Sequence, residues 1–457
     1  MPQEPVLEAY KIIQGYLEKI KLGIYSAYFS DVLYDLVIPC TTTLYYQNSK
    51  YTYGNYFNYL KNYLNSEFKK TRLFSLFNEN RKLILSYDSL LPEDVKKDKE
   101  RELLGDVHSY SIKIKSGDYM IYKNTLNYAS FLKNLSKTLP DFASFMPTFE
   151  KTGSWVYRKY IPQQKSVILL KDYYYELGRF IAFILFLRAL DINSENVVAL
   201  TCPAAFDLEI LLSPEYANFK YDIKATGLLS GQTVDNNSAI LGGVYVVYSY
   251  LKPILFLTKD GLPKVKWKTP SLRKFYNLPV SYKFEHPFKY VKEILKGYSD
   301  GSTYLIQRKD MIKEMICNTD FNVRAFIRPT RFYKFLTSEY FYPQTFLKTT
   351  SADFFTKKLI SGLTLKPGKI NKKVLVKYEV EELNKLSIPS FYSNVSSKEI
   401  FAADGTVVGI MNATPADVWK SFADRSTNFF NKQGKTIYSL LEGNFKKYKA
   451  PEKKFHI

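Results

Sequence analysis

A chain of 457 residues, 46% apolar and 24% charged, is long enough for a large core in two or three lobes and lies outside the composition of disordered proteins. Its net charge of +21 in isolation suggests an anionic partner, yet Lys, Tyr, Phe and Asn are abundant throughout and no five basic residues run together, which argues against nucleic acid. The start, MPQEPVLEAYKIIQGY, carries no basic-then-apolar signal, and the longest apolar run, Phe180 to Leu187, is too short to cross a bilayer, so no membrane insertion and a cytoplasmic location are expected.

Val6, Tyr10, Ile13, Leu17 and Ile20 recur at steps of four and three, the spacing of one apolar stripe along a helix. Helical patterning continues through Tyr53 to Phe77, and the charged stretch PEDVKKDKERE sets a first boundary near residue 100. From Ser109 to Lys123 the text SYSIKIKSGDYMIYK predicts two alternating strands joined by Ser116-Gly117-Asp118, with Lys123 ending the second. The run from Tyr173 to Leu190 is apolar on every face from Phe180 onward, as a helix in the middle of a lobe must be. It stops at Asp191. Two short apolar runs follow, VVAL and AAFDLEILL, separated by Thr201-Cys202-Pro203, and a hairpin there would bring Asp207 beside Asn196. A second hairpin, ILFLTKDGLPKVKW, turns at Asp260-Gly261 and is expected on the surface. Thr414-Pro415-Ala416-Asp417 reads as a helix start, with a hydroxyl N-cap, Pro at the first helical position and an acid at the third. The chain closes on an amphipathic helix. Cys40, Cys202 and Cys317 lie far apart with only His108, His286 and His456 to join them, which makes a zinc site unexpected.

Phosphoryl transfer from ATP needs a cation on the phosphates, oxygen ligands for Mg²⁺, and a carboxylate that accepts the proton of the attacking hydroxyl. Lys123 on a strand, Asp191 directly after a buried helix, Asn196 five positions later and Asp207 at the end of a short hairpin stand in the order that the protein-kinase fold uses. Each alone is ordinary: a solvated Lys, a turn Asp, a loop-capping Asn. Their joint order points to a kinase-type site, while the lack of a GxGxxG loop before Lys123 argues against an ordinary protein kinase.

Gly105-Asp106-Val107-His108 with Tyr122-Lys123, the segment YYYELGRFIAFILFLRALDINSENVVA, AAFDLEILL, GLLS, SAILGG, RAFIRPT from Arg324 to Thr330, and EELNKLSIPSFYSN together resemble the dehydratase domain of class II lanthipeptide synthetases (LanM type). The likeness covers roughly residues 100 to 457. It implies an α+β fold with a kinase-like two-lobed core and additional, mainly helical N- and C-terminal regions. The corresponding division is a helical region at 1–100, an N-lobe with the Lys-bearing hairpin at 101–170, a C-lobe with the catalytic and metal loops at 171–345, and a helical C-terminal part at 346–457. It also implies a two-step reaction, in which a Ser or Thr of a ribosomal precursor peptide is phosphorylated and the phosphate is then eliminated to leave dehydroalanine or dehydrobutyrine. Asp191 would orient or deprotonate the hydroxyl, Asn196 and Asp207 would hold Mg²⁺, and Lys123 with these two would bind ATP. Asp106, His108, Lys123, Arg324 and Thr330 would serve elimination.

The family pattern is broken at three places. Asn193 stands where a His is usual and cannot carry a proton, YKPR reads YKNT from Tyr122, and GDIPYF reads SIPSFY. The part before Gly105 is short for the family, and no counterpart of its C-terminal zinc cyclase is visible, so a stand-alone dehydratase is expected, with a separate cyclase or other modifying enzyme as partner. An acidic leader on the precursor would suit the positive charge. The alternatives are a peptide Ser/Thr kinase that stops after phosphorylation and a non-catalytic LanM-like protein that binds a precursor.

Overall fold

The computed structural model describes residues 4–20, 26–47, 56–88, 102–106, 109–113, 119–123, 128–147, 149–152, 155–159, 169–194, 196–205, 207–216, 220–229, 238–240, 252–258, 262–268, 285–341, 345, 348–362 and 367–449, the strands between 102 and 159 as backbone. Helices α1 (Glu4–Lys19), α2 (Ser26–Gln47), α3 (Tyr56–Asn62) and α4 (Arg72–Asp88) come first. The predicted stripe on α1 turns inward at Ile13 and Leu17, joined by Ala9 and Tyr16.

Strands β1 (Glu102–Asp106), β2 (Ser109–Lys113), β3 (Tyr119–Lys123), β4 (Phe149–Thr152) and β5 (Trp155–Lys159) form an antiparallel sheet in the order β1-β2-β3-β5-β4, with α5 (Tyr128–Thr138) between β3 and β4. The expected β2–β3 hairpin is present, and its register pairs Ile112 with Met120. Helix α6 (Leu170–Phe186) leads to two hairpins, β6 (Val197–Ala199) with β7 (Pro203–Ala205) and β8 (Lys252–Leu257) with β9 (Pro263–Lys268). Then come α7 (Val291–Gln307), α8 (Lys309–Asn318), β10 (Asn322–Ala325), α9 (Thr330–Tyr340), α10 (Ser351–Ser361), β11 (Gly368–Ile370), α11 (Lys372–Asn384), β12 (Phe391–Asn394), β13 (Glu399–Ala402) and β14 (Val407–Met411). The last five strands make a second antiparallel sheet, β10-β12-β13-β14-β11. Two helices, α12 (Pro415–Asp424) and α13 (Ser426–Lys449), end the described chain. Helices beside antiparallel sheets agree with the expected α+β class.

Helix α6 is the axis of the largest core. Every residue from Phe180 to Phe186 is fully buried, and each such Phe, Ile or Leu contributes about 1.5–3 kcal/mol. It packs along α7 so closely that a Cβ at Gly178 would run into the Ile294 carbonyl and one at Gly297 into the Tyr175 carbonyl. The C-terminal helices seal its end: the Trp419 indole N–H donates to the Phe186 carbonyl at 2.8 Å, and Gln433 Oε1 accepts from the Ile223 amide at 3.1 Å. Helix α12 begins as its sequence requires, with Thr414 Oγ1 accepting from the Asp417 amide at 3.1 Å.

A second core joins α1–α4 to α9, α10 and α11 through residues such as Phe29, Phe77, Tyr340, Phe355 and Leu383. The β8–β9 hairpin, expected on the surface, departs from that expectation. Leu255 is fully buried in this second core, its amide donates to the Tyr34 hydroxyl at 3.1 Å, and Tyr46 donates to the Pro263 carbonyl at 2.7 Å. An alternating strand buries one face wherever a neighbour offers apolar surface, and the tyrosine-rich helices offer it. None of the described helices is long and apolar enough to cross a membrane.

Candidate active site

The loop after α6 is shaped by two residues in the left-handed region. Arg188 has φ 51° and Asp191 φ 61°, a conformation that costs a residue with a side chain about 1–3 kcal/mol and that Asp tolerates better than most. Between them the chain pairs back onto residues 210–213: the Leu190 amide donates to the Ile210 carbonyl at 3.1 Å and Leu212 to Leu187 at 2.9 Å. Arg188 is buried beneath this crossing. Its Nε donates to the Ser213 carbonyl at 2.9 Å and its guanidinium lies 4.6 Å from the Tyr221 ring centroid, so burial pushes its pKa down but leaves it satisfied by carbonyls and a ring.

Asp191 is held on all sides. Asn193 Nδ2 donates to Asp191 Oδ1 at 3.0 Å, and Asn196 Nδ2 donates to the Asp191 carbonyl at 2.7 Å. The next amide, Ile192, donates to the Thr226 carbonyl at 2.7 Å. Gly227 follows with φ 89° and lies so near the Ile192 backbone that a Cβ would sit 3.1 Å from its carbonyl, which explains a glycine at the head of GLLS. Asn193 also bridges Ser238. The segments 191–193, 226–229 and 238–240 thus lace together through their backbones.

The β6–β7 hairpin folds as the sequence predicts, with Ala199 opposite Pro203, and it returns Asp207 to Asn196, whose carbonyl accepts from the Asp207 amide at 3.4 Å. Asp207 Oδ1 is closed off from solvent. A carboxylate and an amide oxygen, from Asp207 and Asn196, are the hard donors that Mg²⁺ takes. No group of three His, Cys, Asp or Glu gathers into a metal cluster among the described residues.

Two positions beyond Asp207, Glu209 forms an ion pair with Arg324 on β10, and the Arg324 amide donates to the Glu209 carbonyl at 3.2 Å. The RAFIRPT segment is therefore attached to the run that carries Asp207. Within that segment Arg324 lies on a strand, Arg328 in the connection, and Thr330 at the first position of α9 after Pro329. Asp106 and Lys123 are the last residues of β1 and β3 and stand at one end of the first sheet. Their side chains, like His108, lie outside what is described.

Glu209 escaped the sequence reading, although a charge inside the apolar run FDLEILL signals a buried partner. Glu379 escaped it too: it falls on the buried stripe of α11 with Leu375, Val376 and Leu383, where a carboxylate demands a counter-ion.

Residues 103–394 match the family described as a domain of unknown function, DUF4135. The lacticin 481/lactococcin biosynthesis protein LcnDR2 of Lactococcus lactis subsp. lactis is 23% identical to this chain over a match that covers 58% of it and 30% of that protein. The chain spans less than a third of the length of that relative.

Proposed function

The chain belongs to the DUF4135 family, which is LanM-related, and from that premise we propose that it is an ATP-dependent dehydratase of Ser and Thr residues in a lanthipeptide precursor, on the kinase-like core the resemblance implies. The ion pair between Arg324 and Glu209 carries the reading. It joins the run bearing Asp207 to the segment that the resemblance assigns to expelling phosphate, which supports assigning both halves of a dehydration to one site.

In the first half the peptide hydroxyl oxygen attacks the γ-phosphorus of ATP, the bond to ADP breaks, and the hydroxyl proton passes to the Asp191 carboxylate. Asn193 orients that carboxylate from its Oδ1 side. Bound Mg²⁺ would neutralise phosphate charge. Asn196 and Asp207 offer it an amide and a carboxylate oxygen, and Lys123 is assigned to the phosphates. In the second half a base takes the α-proton, the C–H electron pair becomes the Cα=Cβ bond, and the Cβ–O bond breaks with its electrons leaving on phosphate. Asp106 and His108 are assigned to proton transfer there, and Lys123, Arg324 and Thr330 to the departing charge.

The test is mass spectrometry of the precursor peptide encoded beside the gene, after incubation with the full chain, ATP and Mg²⁺. Loss of one water per modified residue is expected, and an unchanged mass with every neighbouring candidate peptide would sink the proposal. A second reading, a kinase that stops at phosphopeptide, draws on Asn193: its amide is engaged with Asp191 and cannot carry a proton. Wild-type enzyme that yields phosphopeptide alone would establish it.

A further inference from the structure

The connection between β10 and α9 is anchored by a buried cluster that none of these steps uses. Arg328 and Glu379 have side chains 2% and 0% exposed and are joined from Nε to Oε1 at 2.6 Å. Tyr333, one turn into α9, donates its hydroxyl to the same Oε1 at 2.7 Å. Arg328 also donates to the Leu359 carbonyl at 2.9 Å and lies 5.5 Å from the Phe332 ring centroid. So α11 grips both the connection and the first turn of α9, and α10 closes the far side.

This arrangement is poorly suited to stability alone. Removing two charges from water costs several kcal/mol per ion, and well-packed apolar residues often do as well or better. Glu379 Oε2 is in addition buried with no hydrogen-bond partner among the described residues, a cost of about 1–3 kcal/mol. What the cluster does supply is direction. Arg328 stands four residues after Arg324 and two before Thr330, and it is buried where both of those are half-exposed. Arg324 is fixed at the other side by Glu209 and by β12, where its partner is Tyr392.

We propose that Glu379 is a positioning residue for the elimination step: through Arg328 and Tyr333 it holds the start of α9 so that Thr330 stays in fixed relation to Arg324. This rests on the dehydratase reading above. A misplacement of about 1 Å at such a pair lowers a rate by about 10²-fold, whereas the Asp191 loop has no link to Glu379 in the hydrogen bonds described and its step is spared.

The experiment gives the full chain two substrates, the unmodified peptide with ATP and Mg²⁺, and a synthetic peptide already carrying phosphoserine. Glu379→Gln keeps an acceptor and removes the charge, and Tyr333→Phe removes one hydrogen bond where the first variant fails to fold. Both are compared with Arg324→Ala and Thr330→Ala. The expected result is elimination from the phosphopeptide slowed by about 10²-fold, phosphorylation at the wild-type rate, and phosphopeptide accumulating from the unmodified substrate. Equal loss of both rates in Tyr333→Phe, or unchanged elimination in both cluster variants while Arg324→Ala and Thr330→Ala are slow, overturns the role of Glu379 and leaves the dehydratase reading standing. Wild-type elimination in Arg324→Ala and Thr330→Ala overturns the reading, and the positioning role with it.

Discussion

At the scale of single residues, Asp191 combines a left-handed backbone, its carbonyl held by the Asn196 amide, with a carboxylate that accepts from the Asn193 amide. Asn adopts the same region as easily as Asp, so Asp191→Asn should melt at the wild-type temperature while peptide phosphorylation falls by about 10²–10⁴-fold, the usual worth of a positioned base. Parallel losses of activity and melting temperature would instead mark Asp191 as structural. His286 offers a test of the pH response. Its Nδ1 accepts from the Phe288 amide at 3.2 Å and its Nε2 faces Asn444 Oδ1 at 3.2 Å, an arrangement for the neutral ring. Burial pushes its pKa below the ordinary 6.5. In the window beneath that value the unfolded chain binds a proton that the folded chain resists, so this contribution to stability is present above pH 6.5 and is lost as pH falls toward the lowered pKa. His286→Asn, which can still cap Phe288, should show a shallower drop in melting temperature from about pH 7 to about pH 5, and an identical profile would count against the assignment.

At the scale of elements, the crossing of α6 on α7 depends on two glycines placed against facing carbonyls. Gly297→Ala should cost about 1–3 kcal/mol in denaturant unfolding, because a Cβ there forces the helices apart; an unchanged midpoint would mean the crossing is looser than its geometry. Elements whose signals are local were readable beforehand. Thr414-Pro415-Ala416-Asp417 caps α12 as written, the strands expected on either side of Ser116-Gly117-Asp118 pair as a hairpin whose turn lies outside the described residues, and Thr201-Cys202-Pro203 returns Asp207 to Asn196. Apolar periodicity misplaced the end of α6, which stops at Phe186 rather than at Asp191, because Leu187, Ala189 and Leu190 continue the apolar pattern while the backbone leaves the helix at Arg188 and pairs with residues 210–213. Partners far apart in sequence left no local trace, as with Glu209 and Arg324, which are 115 residues apart.

At the scale of the molecule, the first four helices do not own their core. Phe29, Leu60 and Phe77 share it with Tyr333, Leu336, Tyr340 and Phe355, surfaces that alternation and composition alone could not assign to each other. Deleting residues 1–100 would bare that face of α9 and α10, and exposed apolar patches of this kind drive association. The shortened chain should therefore appear in the insoluble fraction or elute as large aggregates, and a soluble monomer with intact phosphorylation would refute the shared core. The indole of Trp419 on the last carbonyl of α6 has a further consequence, for synthesis. Chains leave the ribosome at about 5–20 residues per second and fold as units become complete. The helix that delivers Asp191 lacks its closing bond, and the Ile223 amide lacks Gln433, until the final helices have emerged. A nascent chain therefore leaves the end of α6 and the Ile223 amide open until Trp419 and Gln433 have been made, many seconds after the helix itself.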